Sequence, residues 1–181
     1  LAQLQQIQNQ VIGVSNETFN RRKIEILSGI TRLRQICDTP SLFMDYQDDS
    51  GKVESLRQLL LQINENGHRV LVFSQFRGML DIAEQVMIDL DMTSYKITGS
   101  TLANDRQEMT QAFNKGAKDA FLISLKAGGV GLNLPGADTV ILIDLWWNPA
   151  VEMQAISRAH RIGQNSNVEV YRLITTGPNT P

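Results

Sequence analysis

Short apolar runs alternate with longer amphipathic stretches from residue 52 onward, and this alternation limits the fold more than any other feature of the chain. Five runs have the length and the β-branched character of buried strands. They are RVLVFS (69–74), TSYKIT (93–98), DAFLIS (119–124), TVILID (139–144) and VEVYRLI (168–174). Strands this apolar, separated by helices, predict an α/β fold in which helices cover both faces of a mainly parallel sheet.

Helices are predicted between these strands, because apolar residues recur there at spacings of three and four. The first helix should end near Gly67, and a later one, over 105–114, should end before Gly116, since glycine commonly follows a helix C-terminus. Further helices are predicted over about 80–90 and about 150–162.

The first 49 residues are more polar than the rest of the chain. Apolar residues between 24 and 36 are spaced for one face of an amphipathic helix, which should end before Pro40 because the residue before a proline resists the helical conformation. A polar, turn-forming stretch follows at 45–51. We therefore expect a helical segment over 1–49 and a separate lobe over 50–181.

Composition excludes several classes of protein. The 181 residues, of which 42% are apolar and 20% charged, are typical of a globular chain, and the single cysteine excludes an internal disulfide and a cysteine-built zinc site. No apolar run approaches the roughly 20 residues that cross a bilayer, and the Gln-rich start does not resemble a signal peptide, so we expect a soluble intracellular protein. The net charge of −2 does not favour a protein held on nucleic acid by overall charge.

Residues 151–164 (VEMQAISRAHRIGQ) carry Gln154, Arg158 and Arg161 in one stripe of a predicted helix. Two guanidinium groups held side by side suit a polyphosphate, because each is permanently charged and can donate two hydrogen bonds to phosphate oxygens. In phosphoryl transfer such an arginine neutralises charge that develops on the γ-phosphate. Arginines at this spacing are also typical of a solvated helix surface, and the spacing alone does not separate the two interpretations.

The segment SLKAGGVGLNLPG (124–136) directly follows a predicted strand, and its glycines allow backbone N–H groups to approach phosphate or ribose closely. It is not a dinucleotide fingerprint, because Leu134 stands where the third glycine is needed. It is not a P-loop either, because no Lys-Ser or Lys-Thr follows the glycines. Taken alone, this segment favours a tight turn.

Three further strand ends carry polar or aromatic residues. SQF (74–76) and TGST (98–101) suit contacts with phosphate groups, although such residues are also ordinary in turns. DLWWNP (144–149) has two tryptophans that either stack on a base or cap the core. Asp144 is not followed by a second acid, which favours a structural role over magnesium binding. His68 and His160 have no companion cluster, so neither is expected to bind a metal.

The order and spacing of these segments together resemble the C-terminal motor lobe of a Swi/Snf-family ATPase. The resemblance is carried by VLVFSQF, TGST with Arg106 and Phe113-Asn114, SLKAGGVGLNL, and WWNPAVEMQAISRAHRIGQ, while LRQICDTP (33–40) resembles the helical segment before that lobe. The sequence WWNPA resembles prokaryotic members of the family more than the eukaryotic remodellers. The resemblance implies a RecA-like lobe that, together with a first lobe, closes over ATP and steps along double-stranded DNA.

The resemblance also implies roles for individual residues. Arg158 and Arg161 match paired arginine fingers and are the expected catalytic residues. The expected nucleotide-binding residues are Gly129, Gly131, Asn133 and Gln154. The expected DNA-binding residues are Ser74, Gln75, Thr98, Gly99, Ser124, Lys126 and Trp147. ATP and Mg²⁺ are the implied cofactors, and the first lobe is expected to hold Mg²⁺, because this chain has no GxxxxGK[ST] motif and no Asp-Glu pair.

The implied activity is ATP-driven translocation on double-stranded DNA that displaces or remodels DNA-bound proteins of unspecified identity. The implied partners are DNA and the first lobe of the same polypeptide, with no membrane, in a cytoplasmic, nucleoid-associated location if the source is a prokaryote. This chain alone is expected to be inactive. Ser157 stands where the family usually has Asp, which would loosen the first finger. The alternatives are a lobe of a strand-separating RNA or DNA helicase, or a non-catalytic interaction module.

Overall fold

The computed structural model describes residues 27–31, 51–125, 132–144, 149–159 and 168–174. The chain forms two compact units, Leu1–Asp48 and Asp49–Pro181. In the first unit, residues 27–31 are helical, and the hydroxyl of Thr31 donates a hydrogen bond to the carbonyl of Leu27 (2.8 Å). The helix end predicted before Pro40 lies outside the described residues.

The second unit contains a five-stranded sheet whose strand order is β2-β3-β1-β4-β5. The strands are β1 (Val70–Ser74), β2 (Ser94–Ile97), β3 (Ala120–Ser124), β4 (Thr139–Leu142) and β5 (Glu169–Arg172). Every neighbouring pair is parallel, and each strand lies within the apolar run that predicted it. The predicted mainly parallel α/β architecture is confirmed.

Helices cover both faces of this sheet. The described helices of this unit are α1 (Gly51–Glu65), α2 (Arg77–Asp89), α3 (Ala103–Asn114) and α4 (Pro149–Ala159). Helices α3 and α4 contribute Phe113, Ala155 and Ala159 to a core cluster that contains alternate residues of the strands, such as Phe73 and Phe121. The intervening residues of β1, β3 and β4 are also buried, and α2 contacts β1 and β3 while it packs against α1. No helix in the described ranges is long and apolar enough to cross a membrane.

Glycines end α1 and α3 as predicted. After α1, the N–H of Gly67 (φ +69°) donates to the carbonyl of Asn64, and the N–H of His68 donates to the carbonyl of Ile63, each at 3.0 Å. Gly116 (φ +98°) takes the equivalent position after α3. Both ends are Schellman motifs, in which a left-handed residue lets the chain turn away while the last carbonyls stay hydrogen bonded.

Arg69, at the amino edge of the sheet, joins two connecting segments. Its Nη2 atom donates to the carbonyls of Phe113 (2.6 Å), Ala117 (3.1 Å) and Lys118 (2.9 Å), and its Nη1 atom donates to the carbonyl of Gly136 (2.7 Å). The guanidinium carbon lies 3.9 Å from the centre of the Phe113 ring. One side chain therefore fixes the end of α3 and the segment before β4 to the start of β1.

Candidate functional site

Four polar residues stand at the carboxyl ends of adjacent strands. Ser74 and Ser124 end β1 and β3 and are register partners. Thr98 directly follows β2, whose last residue pairs with the residue before Ser124. Asp144 lies two residues beyond β4, which pairs with β1. The parallel topology therefore brings these residues to one edge of the sheet, where α/β proteins commonly bind their ligands.

Asp144 is buried and organises the turn after β1. Its Oδ2 atom accepts hydrogen bonds from the hydroxyl of Ser74 (2.8 Å) and the backbone N–H of Gln75 (2.5 Å). The Ser74 oxygen also accepts the N–H of Phe76 (3.0 Å). These contacts are those of a structural aspartate, as predicted. Ser74 has no exposed surface, so its side chain supports the neighbouring Gln75 and offers nothing directly to a ligand in this conformation.

The loop after β2 has a defined shape. The guanidinium of Arg106 donates to the carbonyls of Thr101 (2.9 Å), Gly99 (3.3 Å) and Thr98 (3.4 Å), and the Thr101 hydroxyl oxygen accepts the N–H of Thr98 (3.0 Å). Gly99 is exposed and Thr98 is half-buried. Arg106 therefore holds a loop that presents exposed backbone. In the sequence, Arg106 appears only as part of the family resemblance. Its role in the loop could not be predicted, because the loop conformation decides which three carbonyls it binds.

Helix α4 carries the first of the two predicted finger arginines. Ala155 and Ala159 are buried against the core, and Val151 is half-buried, so these residues form the inner face of the described part of this helix. Gln154 is exposed. Arg158 is half-buried, and its Nη1 atom donates a hydrogen bond to the carbonyl of Leu132 (3.3 Å). Helix α4 is thus in contact with Leu132, which lies just after the glycines of the segment 124–136.

Two buried side-chain oxygens of the segment 124–136 have no hydrogen-bond partner in the part of the chain that the structure describes. They are Oγ of Ser124, at the end of β3, and Oδ1 of Asn133. A buried polar atom without a partner costs about 1–3 kcal/mol, and such atoms often mark a place where a ligand completes the hydrogen bonding. An amide oxygen accepts only, so Asn133 suits a hydroxyl donor such as a ribose. The residues present therefore fit a nucleotide.

The described residues do not fit a metal ion. Within the described ranges, no group of three or more His, Cys, Asp or Glu side chains could hold one. His68 lies at the amino edge of the sheet, where its Nδ1 atom is 2.9 Å from Oδ2 of Asp138. No step is therefore assigned to Mg²⁺ on this chain.

Five of the predicted site residues lie outside the described residues: Lys126, Gly129, Gly131, Trp147 and Arg161. Their predicted roles stay predictions. Ser157, the departure noted beside the first finger, turns its hydroxyl back to the carbonyl of Gln154 (2.8 Å). It therefore makes a local contact within the helix.

Comparison with known proteins identifies the family. The model for the helicase conserved C-terminal domain matches residues 51–163. The chain is 41% identical over 178 residues to the SWI/SNF-related matrix-associated actin-dependent regulator of chromatin subfamily A member 1 of Mus musculus. This alignment covers 91% of this chain and 17% of that protein. It is 39% identical over 182 residues to the nuclear protein STH1/NPS1 of Saccharomyces cerevisiae, which covers 91% and 13% respectively. The chain spans less than a fifth of these two relatives.

A solved structure supports the same assignment. The Sulfolobus solfataricus SWI2/SNF2 ATPase core in complex with dsDNA matches with a TM-score of 0.77 and 30% sequence identity, over 96% of this chain and 36% of that one. The sheet and its flanking helices are thus the RecA-like α/β fold of these cores. The predicted closeness to prokaryotic members stays a prediction. The chain belongs to the helicase conserved C-terminal domain family, as the C-terminal lobe of a Swi/Snf-type superfamily-two ATPase.

Proposed function

We propose that residues 50–181 are the second lobe of an ATP-dependent translocase on double-stranded DNA, preceded by a helical segment over 1–49. The lobe supplies Arg158 and Arg161 to ATP that is held by a first lobe, which also holds Mg²⁺. The observation that carries this proposal is the position of Arg158, whose guanidinium touches the Leu132 carbonyl beside the unpartnered Asn133 oxygen.

The nucleotide side of the proposal uses residues around the glycine-rich stretch. Gly129 and Gly131 give close backbone approach, the Asn133 side chain accepts a hydrogen bond from the nucleotide, and Gln154 borders the site from the exposed face of α4. A guanidinium that is already half-buried loses little further solvation on binding, and its permanent charge opposes the negative charge that grows on the γ-phosphate during transfer.

The DNA side of the proposal uses the carboxyl edge of the sheet. Gln75, Thr98, Gly99, Ser124, Lys126 and Trp147 are the proposed contacts with the DNA backbone, and Ser74 supports them through Asp144. Backbone contacts need polar groups and exposed main chain more than large positive charge, which agrees with the net charge of −2. The structural relative is a core bound to double-stranded DNA, and the curated relatives are named as chromatin regulators and a nuclear protein. We extend these properties to displacement of DNA-bound proteins, at the nucleoid if the source is a prokaryote.

The test is the ATPase activity of the intact protein that carries this chain, measured without DNA, with duplex DNA and with single-stranded DNA. We expect duplex DNA to stimulate hydrolysis more than single-stranded DNA does. We expect residues 1–181 alone to show no magnesium-dependent hydrolysis, because the chain has neither the phosphate-binding motif nor the acidic pair. Stronger stimulation by single strands would indicate a strand-separating helicase, and an intact protein without hydrolysis would indicate an interaction module. Either result would contradict the proposal.

A further inference from the structure

The side chain of Asn114, the last residue of α3, joins both ends of a short segment before β4. Its Nδ2 atom donates a hydrogen bond to the carbonyl of Asn133 (2.8 Å), and its Oδ1 atom accepts the N–H of Gly136 (3.2 Å). One amide therefore uses its donor and its acceptor on two backbone groups three residues apart. Only an amide side chain supplies both functions in this geometry.

The segment also packs against this corner too closely for a side chain at Gly136. A Cβ atom there would lie 2.9 Å from Nη1 of Arg69, 3.0 Å from Cα of Asn114 and 3.1 Å from its Oδ1 atom. The Gly136 carbonyl accepts from Arg69 Nη1 at 2.7 Å. Residues 133–136 are therefore held between the end of α3 and the Arg69 guanidinium, with no room to shift toward either.

The same segment contacts the finger arginine. The N–H of Leu134 donates to the main-chain carbonyl of Arg158 (3.0 Å), and the Arg158 guanidinium donates to the carbonyl of Leu132 (3.3 Å). Leu132 and Leu134 are buried in one cluster with Ala155 and Ala159 of α4. The backbone of 132–134 therefore fixes both the end of α4 and one hydrogen bond of the guanidinium.

We infer that Asn114 is a positioning residue for the ATPase reaction, an inference that rests on the proposed function. Asn114 fixes residues 132–136, and these fix the guanidinium of Arg158 relative to the nucleotide. Asn114 acts only through Asn133 and Leu134. It is therefore not one of the groups that bind ATP directly. Its loss should therefore slow the step in which Arg158 acts more than it weakens the binding of ATP through Asn133.

The variants are Asn114→Ala, which removes both hydrogen bonds, and Asn114→Asp, which keeps the acceptor and turns a carboxylate oxygen toward the Asn133 carbonyl. Gly136→Ala displaces the same segment from its other end. Gln111→Ala is the matched control: it removes an exposed amide one turn earlier on α3, for which no side-chain hydrogen bond is recorded within the described ranges.

In the intact protein with duplex DNA, we expect kcat to fall about tenfold in all three test variants and KM for ATP to rise by less, about threefold at most, because a transition-state contact is lost while the ground state loses only the positioning of Asn133. Hydrogen exchange should become faster at the hydrogen-bonded amides of Leu134, Gly136 and Ala137 and stay unchanged in β1. The control should match the wild type in both measurements.

The outcomes separate this inference from the proposed function. A wild-type protein without DNA-stimulated hydrolysis contradicts the proposed function. An active wild type with an unchanged kcat in Asn114→Ala overturns the positioning role alone, as does unchanged exchange at the amides of Leu134, Gly136 and Ala137. Faster exchange in β1 as well as in the segment also overturns it, because Asn114 would then serve the stability of the whole lobe.

Discussion

At the scale of single residues, two arginines with similar hydrogen bonding serve different parts of the lobe. Arg106 binds the carbonyls of the loop after β2, and Arg69 binds four carbonyls at the opposite edge of the sheet. A guanidinium has five N–H donors in a rigid plane, so one side chain can bind several carbonyls at once. Such residues shape loops that have no regular secondary structure.

Arg69→Lys should lower the free energy of unfolding by about 1–3 kcal/mol, because an ammonium group cannot span the carbonyls of Phe113 and Gly136 together and leaves some of them without a donor. Denaturant unfolding of the lobe measures the difference. Arg77→Lys is the control, since Arg77 is exposed and no contact of its side chain is recorded in the described ranges. Equal stabilities of the two variants would show that the carbonyl contacts of Arg69 contribute nothing.

His68 should make stability depend on pH. The hydrogen bond that the His68 ring donates to the Asp138 carboxylate, together with the negative charge of that carboxylate, raises the pKa of His68 above its usual value of 6.5. Burial alone would raise the pKa of Asp138, but hydrogen bonds from His68, Thr139 and the Arg69 backbone lower it overall. The contribution of His68 is therefore fully present below pH 6.5 and is lost as the pH rises through the raised folded-state value.

The measurement is the melting temperature of the wild type and of His68→Gln, which cannot be protonated. The difference between them should be larger near pH 5.5 than near pH 8.5. A difference that is the same at both pH values would exclude a charged pair between His68 and Asp138.

At the scale of helices and strands, the turn glycines give the most direct prediction. Gly67→Ala should destabilise the lobe by about 1–2 kcal/mol, because the residue has φ +69° and an L-residue is strained there, although no atom lies within 4 Å of the added Cβ. Gly51→Ala is the control, since a Cβ at the start of α1 also meets nothing and Gly51 has no positive φ. It should leave stability unchanged or raise it slightly. A loss equal to that of Gly67→Ala would contradict the backbone explanation.

The periodicity of apolar residues predicts where the helices and strands lie, but it does not predict which strands pair. All five strands lie inside the predicted runs, because short apolar stretches between helices are typical of strands, although β2 and β5, at the two edges of the sheet, are only partly buried. The strand order was not predictable in the same way: β3 lies between β2 and β1, and nothing in an apolar run specifies its neighbours. Ser74 and Ser124 lie side by side because of this order. The sequence predicts their proximity only through the general rule that the carboxyl ends of parallel strands meet at one edge of the sheet.

The site was predictable only in part, because some of its residues lie on a regular helix and others contact irregular backbone. Arg158 was found from its spacing on a helix, and the structure places it against Leu132, while its role as a finger stays a prediction. In the sequence, Asn114 stands out only as part of the Phe113-Asn114 pair that contributes to the family resemblance. Its contacts could not be predicted, because it lies at a helix end and its partners, Asn133 and Gly136, belong to a segment without periodicity. Residues that act on irregular backbone carry little signal in a single sequence.

At the scale of the whole molecule, we propose that the lobe offers one side of a nucleotide site. Its described part has an arginine and two unpartnered buried oxygens near the glycine-rich stretch, and no cluster of metal ligands. Hydrolysis requires a phosphate cradle and a metal site as well as a group that neutralises the developing charge. The lobe should therefore be able to form its own core and still need another lobe to hydrolyse ATP.

The measurement that tests the central claim most directly is steady-state ATP hydrolysis by the intact protein with Arg158→Ala, together with the equilibrium affinity for ATP. We expect kcat to fall roughly 10³-fold or more, with Kd for ATP nearly unchanged and no rescue by Arg158→Lys, because a lysine cannot make the bidentate contact of a guanidinium. Arg77→Ala should behave like the wild type. A large loss of ATP affinity with unchanged kcat in Arg158→Ala would contradict the claim that this lobe supplies a transition-state arginine.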